Sequence, residues 1–250
     1  MDTISVATAA VTGARHLRTA RNGQDAAQAW TGGRTGAIVV CDGCGAGGSS
    51  EVGARLGAQL AIAVVAEQLA AGIPAPDVWP AVRARVAAVL DRLVAAMPGK
   101  REQIVHDHFL FTIVAAAWDG ERVAVWALGD GGYALGSRIC ELAPFAENQP
   151  PYLGYDLLGM PHDAHLEVAD GACGHAIVAT DGATELGLAR FTGPRFLAHP
   201  DALRRQLTVD ARGNDRIEWA ARRVQREAAA LQDDGAVAIL RWGACRGDCS

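Results

Sequence analysis

Cysteine is sparse, six in 250 residues, and irregularly spaced, which excludes a disulfide scaffold and fits a reducing cytoplasm. Positive charge is not in excess either. The formal net charge is −5 and the pI about 5.8, so nucleic acid has no electrostatic case as a partner. Residues 1–15 contain no basic stretch ahead of an apolar core, and the longest apolar segment, Leu56 to Gly72, is interrupted by Gln59, Glu67 and Gln68. A secretory signal and a bilayer span are therefore not expected. The expectation is a cytoplasmic protein that binds neither membrane nor nucleic acid.

What is present is a composition of 50% hydrophobic and 20% charged residues, enough for one substantial core. A single domain is expected over 1–242, with 243–250 as a flexible tail. Arg204, Arg205, Arg212, Arg216, Arg222, Arg223 and Arg226 make one segment locally basic, read as a solvated helix face.

The organising stretch is Ala37-Ile38-Val39-Val40-Cys41-Asp42-Gly43. An apolar, β-branched run ending in Asp-Gly reads as a buried strand that delivers one carboxylate to a sheet edge, where glycine lets the backbone turn. The arrangement recurs at Val125 to Gly131 and at Ala176 to Gly182, and is inverted at Asp233-Asp234-Gly235, which precedes the strand Ala236 to Leu240. A lone Asp-Gly is an ordinary turn. Four of them abutting buried strands gather carboxylates that repel one another unless a cation lies among them, and all-oxygen ligands favour a hard ion such as Mg²⁺ or Mn²⁺.

Along the chain, Ser5 to Gly13 reads as a strand, a polar loop returns through Asp25 into a short strand at Gln28-Ala29-Trp30, and Gly32 to Gly36 forms a hairpin turn. Ser49 or Ser50 is the expected N-cap of a helix from Val52 to Ala71, and Asp77 that of a second helix ending near Met97. Phe109 to Trp118 and Val123 to Leu128 form a hairpin, followed by short strands at Tyr133 to Gly136 and near Ile139 and Leu142. An irregular connection, Asn148 to Pro161, leads to strands at Ala164 to Val168 and His175 to Thr180. Helices over Asp201 to Leu207 and Asp215 to Leu231 precede the last strand. Helices in pairs and strands in meanders point to an α+β fold, sheet on sheet with helices outside.

The ordered set Asn22-Gly23-Gln24-Asp25-Ala26, Val40 to Gly45, Thr112 with Ala127 to Gly131, Ala179 to Gly182 and Asp233 to Val237 resembles the motif series of metal-dependent protein Ser/Thr phosphatases of the PP2C type. The likeness is greatest to their compact bacterial branch. It implies a four-layer α-β-β-α sandwich of two antiparallel sheets flanked by helix pairs. It also implies two Mn²⁺ or Mg²⁺ ions at one end of the sheets, with a third ion possible in the bacterial branch. By that likeness Asp42 bridges both ions, the Gly43 carbonyl binds one, Asp181 and Asp233 complete the other shell, Asp25 lies close by, and Asp130 matches a ligand of the third. The catalytic set would be Asp42, Asp25, Asp181 and Asp233. The implied reaction is hydrolysis of phosphoserine or phosphothreonine in a protein, such as a Ser/Thr kinase or its target, by water activated between the ions.

The chain departs from the pattern at several points. Gln24 stands where many relatives have Glu, Asp234 where many have Asn, and Ala236 replaces a usual Ser or Thr. Cys44 occupies the place where some relatives carry a His proposed as leaving-group acid, so His16, His162 and His165 become candidates if the fold brings one close. Arg18 and Arg21 lie near the place of a phosphate-binding Arg. Two other readings compete. Cys41 and Cys44 form a CxxC that Cys245 and Cys249 could complete as a zinc site, though the downstream spacing is wrong for common zinc modules. The chain could also be a non-catalytic sensor or scaffold module on a phosphatase fold, which clustered carboxylates argue against.

Overall fold

The computed structural model describes residues 4–142, 145, 149–199 and 201–243. The expected tail, Cys245, Cys249 and Asn148 lie outside the described residues. The chain runs β1 (Ser5–Val11), α1 (Ala14–Thr19), β2 (Ala26–Gly32), β3 (Thr35–Gly43), α2 (Glu51–Ala70), α3 (Trp79–Ala96) and α4 (Arg101–His108). Strands β4 (Phe111–Trp118), β5 (Arg122–Leu128), β6 (Gly132–Leu135), β7 (Arg138–Glu141), β8 (His165–Asp170) and β9 (His175–Ala179) follow. Last come α5 (Asp181–Thr184), α6 (Arg195–Ala198), α7 (Ala202–Asp210), β10 (Asn214–Glu218), β11 (Arg223–Glu227) and β12 (Gly235–Arg241).

Two five-stranded sheets form, in the orders β2-β3-β4-β5-β8 and β1-β12-β9-β6-β7, with every pairing antiparallel. The period of two in a strand sorts side chains between two cores. In β3, Ala37, Val39 and Cys41 face α2 and α3, whereas Ile38 and Val40 face the other sheet and meet Val178, Ala238 and Leu240. Both faces of the central strands are covered, so their sequences read as unbroken apolar runs. A third core lies outside the second sheet, where Ile177, Val237 and Ile239 pack on Phe191, Phe196, Leu203 and Leu207. The result is the expected α-β-β-α sandwich. On α3, Val82, Val86 and Leu90 are fully buried, each contributing about 1.5–3 kcal/mol by removal from water.

Several local expectations fail for physical reasons. Residues Asp215 to Leu231 do not form a helix but mostly the hairpin β10–β11, where Ile217 lies opposite Val224 and Arg223 Nε donates to Glu218 Oε2 at 2.7 Å. Ile217, Trp219 and Val224 are exposed, so a helical apolar stripe would have met no core face; paired strands satisfy the backbone without one. Arg216, Arg222 and Arg223 are solvated on that hairpin, not on a helix. Asp77 caps nothing. It lies in a one-turn 3-10 helix, Ala75–Asp77, and α3 starts at Trp79 with Pro80 in its first turn. Ser50 sits at the N-cap of α2 without a capping hydrogen bond, because its hydroxyl is engaged by Gln24. Helix α2 is also long enough to cross a bilayer, contrary to expectation, but half of that window is buried on the sandwich. Helices α1 and α4 were not anticipated.

The antiparallel registers bring the motif ends together. Ala26 pairs with Cys41, Asp42 with Thr112 and Ile113 with Leu128 in one sheet. In the other, Ala179 pairs with Val237, and Val11 with Gly235.

Candidate metal centre

Asp25, Asp42, Gly43, Asp130, Asp181 and Asp233 all line one cleft of about 710 Å³ at this end of the sandwich. Asp25 precedes β2, Asp42 lies one residue from the end of β3, Asp130 follows β5, Asp181 begins α5 just beyond β9, and Asp233 leads into β12. Each is thus fixed by a buried strand. Close backbone approach holds the contributions of β9 and β12 together: a Cβ on Gly182 would stand 2.1 Å from the Asp234 carbonyl oxygen, so only glycine fits between Asp181 and the Asp233-Asp234 turn. At Gly131 a φ of +106 closes the turn after Asp130.

The carboxylates perturb one another. Burial, then the neighbouring charges of Asp234 and Asp181, push Asp25 up to about 8, against hydrogen bonds that oppose the shift. Burial and the charges of Asp25 and Asp181 push Asp42 well above the usual range. Asp181 rises to about 6, through burial first and then the charge of Asp130, and burial raises Asp130. Asp25 Oδ2 accepts from Thr180 Oγ1 at 2.6 Å, and Asp25 and Asp42 share a carboxyl hydrogen bond. Asp130 Oδ1 is buried with no hydrogen-bond partner among the described residues.

Among the described residues, no three His, Cys, Asp or Glu side chains form a ready-made metal cage; the acidic groups share a cleft rather than a point. An unpartnered buried oxygen and carboxyls driven toward neutrality are nevertheless what a divalent cation relieves, and the donors are all oxygen. The residues present fit a hard divalent ion.

Asp234 is the second anchor of the site. Its Oδ1 accepts from the Gly13 amide at 2.8 Å, and its Oδ2 from the Gln24 amide at 2.6 Å and from His16 Nδ1 at 2.8 Å. Gln24 Nε2 donates to Ser50 Oγ at 2.6 Å and to the Cys44 carbonyl at 3.3 Å, so this amide braces the loop after β3. Of the three candidate histidines, only His16 lines the cleft. His162 lies against Tyr155, and His165 lies 2.9 Å from the Tyr133 hydroxyl at the sheet edge. Arg21 lines the cleft and Arg18 does not. Cys44 faces Tyr152, whose hydroxyl is pushed up by burial, and Cys41 and Cys44 are free thiols.

Sequence reasoning missed Arg15, His106, Tyr152 and Tyr155, all in the cleft wall. Arg15 Nη1 reaches Asp233 Oδ2 at 3.2 Å. No local pattern signals a pairing between residues 218 apart.

The family model for protein phosphatase 2C matches residues 12–210. No curated protein matches the chain by sequence. Among solved structures, the catalytic domain of the serine/threonine phosphatase PstP, in complex with two manganese ions, superposes with a TM-score of 0.60 at 14% identity, covering 98% of this chain and 100% of that one. A bacterial serine phosphatase gives 0.61 at 13% identity over 96% and 98%. Stp1 from Staphylococcus aureus gives 0.59 at 12% identity over 96% and 95%. These likenesses share the fold, and with the family match over four-fifths of its length the chain belongs to the protein phosphatase 2C family.

Proposed function

We propose that the protein is a cytoplasmic, Mn²⁺- or Mg²⁺-dependent phosphatase that hydrolyses phosphoserine or phosphothreonine in a phosphorylated protein partner. The observation that carries this reading is the convergence of Asp25, Asp42, Asp130, Asp181 and Asp233 from both sheets on one open cleft, with the Asp130 Oδ1 oxygen unpartnered among the described residues. The manganese ions of the PstP structure support the choice of metal.

Asp42, with the Gly43 carbonyl, Asp181 and Asp233, would hold two ions; Asp25 would lie beside them, and Asp130 would serve a third. Divalent ions, when bound, lower the pKa of water and offset charge on the phosphate. The chain supplies orientation. Thr180 fixes Asp25, Asp234 fixes the turn that carries Asp233, and Gln24 with Ser50 fixes the loop behind Asp42 and Gly43. Arg15 and Arg21 put positive charge on the cleft wall, suited to a phosphate dianion. None of these groups is a nucleophile poised beside a base, which agrees with direct attack by water.

The test is hydrolysis of p-nitrophenyl phosphate and a phosphothreonine peptide with Mn²⁺ and with EDTA. Turnover that requires the metal and vanishes in Asp181→Asn is expected. A folded protein that binds Mn²⁺ yet turns over neither substrate would instead make it a sensor or scaffold.

A further inference from the structure

Resting on the phosphatase reading, we propose that His16, oriented by Asp234, is the proton donor to the leaving seryl or threonyl oxygen. His16 sits in the first turn of α1 with its side chain only 10% exposed, yet it lines the cleft. Its Nδ1 is 2.8 Å from Asp234 Oδ2. That carboxylate already accepts from the Gly13 and Gln24 amides, so it acts as an acceptor throughout, and the hydrogen of the contact belongs to Nδ1. Nε2 is then the free position. It has no hydrogen-bond partner among the described residues and is not among their fully buried unpartnered atoms, in a residue that lines the cleft. A ring held through one nitrogen by a carboxylate, with the other nitrogen unpaired in a cleft wall, is the arrangement that moves a proton.

The other cleft groups suit the role less. Arg15 and Arg21 do not release a proton. Asp25 is held as an acceptor, taking hydrogen bonds from Thr180 and Asp42. His106 has a half-exposed side chain tied only to the adjacent Asp107, so nothing fixes its direction. Cys44 is turned to Tyr152.

In the step, a water oxygen forms a bond to phosphorus while the bond from phosphorus to the seryl or threonyl oxygen breaks. The electron pair of that bond goes to the departing oxygen, which takes the proton from Nε2 of the imidazolium. The products are the free hydroxyl side chain and inorganic phosphate. The ring is left neutral with its hydrogen on Nδ1, still bonded to Asp234, and regains a proton from solvent.

An alkoxide needs that proton far more than p-nitrophenolate does, and general acid catalysis is worth about 10²–10⁴-fold. With Mn²⁺ present, His16→Ala and His16→Gln are each compared with wild type on a phosphothreonine peptide and on p-nitrophenyl phosphate. The expected result is a fall of about 10²-fold or more in the ratio of peptide kcat to p-nitrophenyl phosphate kcat, with peptide KM little changed. A ratio within about threefold of wild type, whether both activities fall together or neither does, overturns the proposal. A wild type inert on both substrates removes the phosphatase reading itself. A readout independent of turnover is the ¹⁵N spectrum of the His16 ring: hydrogen on Nδ1 of the neutral ring is expected, and hydrogen on Nε2 alone overturns it.

Discussion

Without divalent ions, the carboxylates of the cleft should make the fold lose stability as pH rises, the reverse of ordinary acid denaturation. Asp25 stands at about 8 and Asp181 at about 6 in the folded chain, against 3.8 when unfolded. Both values are raised, so the folded state favours the neutral forms. Their contribution is complete below pH 3.8 and is lost as pH climbs through 6 and then 8. At about 1.36 kcal/mol per unit, Asp25 alone costs about 5 kcal/mol at pH 8, and the two groups together remove about 5 kcal/mol between pH 5 and pH 8. Asp42 acts in the same direction. At about 2–4 °C per kcal/mol for a chain of this size, Tm in EDTA should fall by about 10–20 °C over that range. Mn²⁺ should flatten the profile, because it binds the ionised site and stabilises only the folded state. Asp25→Asn keeps an acceptor for Thr180 but cannot ionise. It should melt about 10 °C or more above wild type in EDTA at pH 8 and gain less from Mn²⁺. Thermal melts in EDTA and in Mn²⁺ across about pH 5 to 8 decide the matter. A Tm in EDTA that holds or rises toward the alkaline end, or an Asp25→Asn variant no more stable than wild type there, would refute the electrostatic account of the site.

Other expectations follow from single contacts. Gly182→Ala would force a methyl to within 2.1 Å of the Asp234 carbonyl oxygen; it should destabilise by about 1–3 kcal/mol and weaken Mn²⁺ binding at least about tenfold, read by calorimetry. Leu90→Ala, in the fully buried core under α3, should cost about 2–5 kcal/mol in denaturant unfolding while leaving turnover per folded molecule unchanged. Trp219→Ser, at 81% exposure on the hairpin, should change stability by less than about 0.5 kcal/mol.

The sandwich was legible because both faces of its central strands are covered, so β3, β4, β5, β9 and β12 stand out as continuous apolar runs. The carboxylates were legible because each abuts such a run. Helix α4 was not, since Arg-Glu-Gln-Ile-Val-His-Asp-His buries only Ile104 and Val105 and has no apolar stripe. The stretch after α7 misled in the opposite way: Ala- and Arg-rich composition favours a helix, but the second sheet's outer face is already filled by Phe191, Phe196, Leu203 and Leu207. The wiring of the site was also beyond reach. The contacts of Asp234 with Gly13, His16 and Gln24 span more than 200 residues, and the β1–β12 pairing brings the chain's two ends together there.

The most direct test of the central claim is the number of Mn²⁺ ions bound per chain, measured by equilibrium titration with electron paramagnetic resonance on wild type and on Asp42→Asn. The account predicts two tightly bound, magnetically coupled ions in the wild type and loss of that coupling in the variant. A wild type that binds no Mn²⁺ at millimolar concentration, or an Asp42→Asn variant with the same coupled pair, would contradict it.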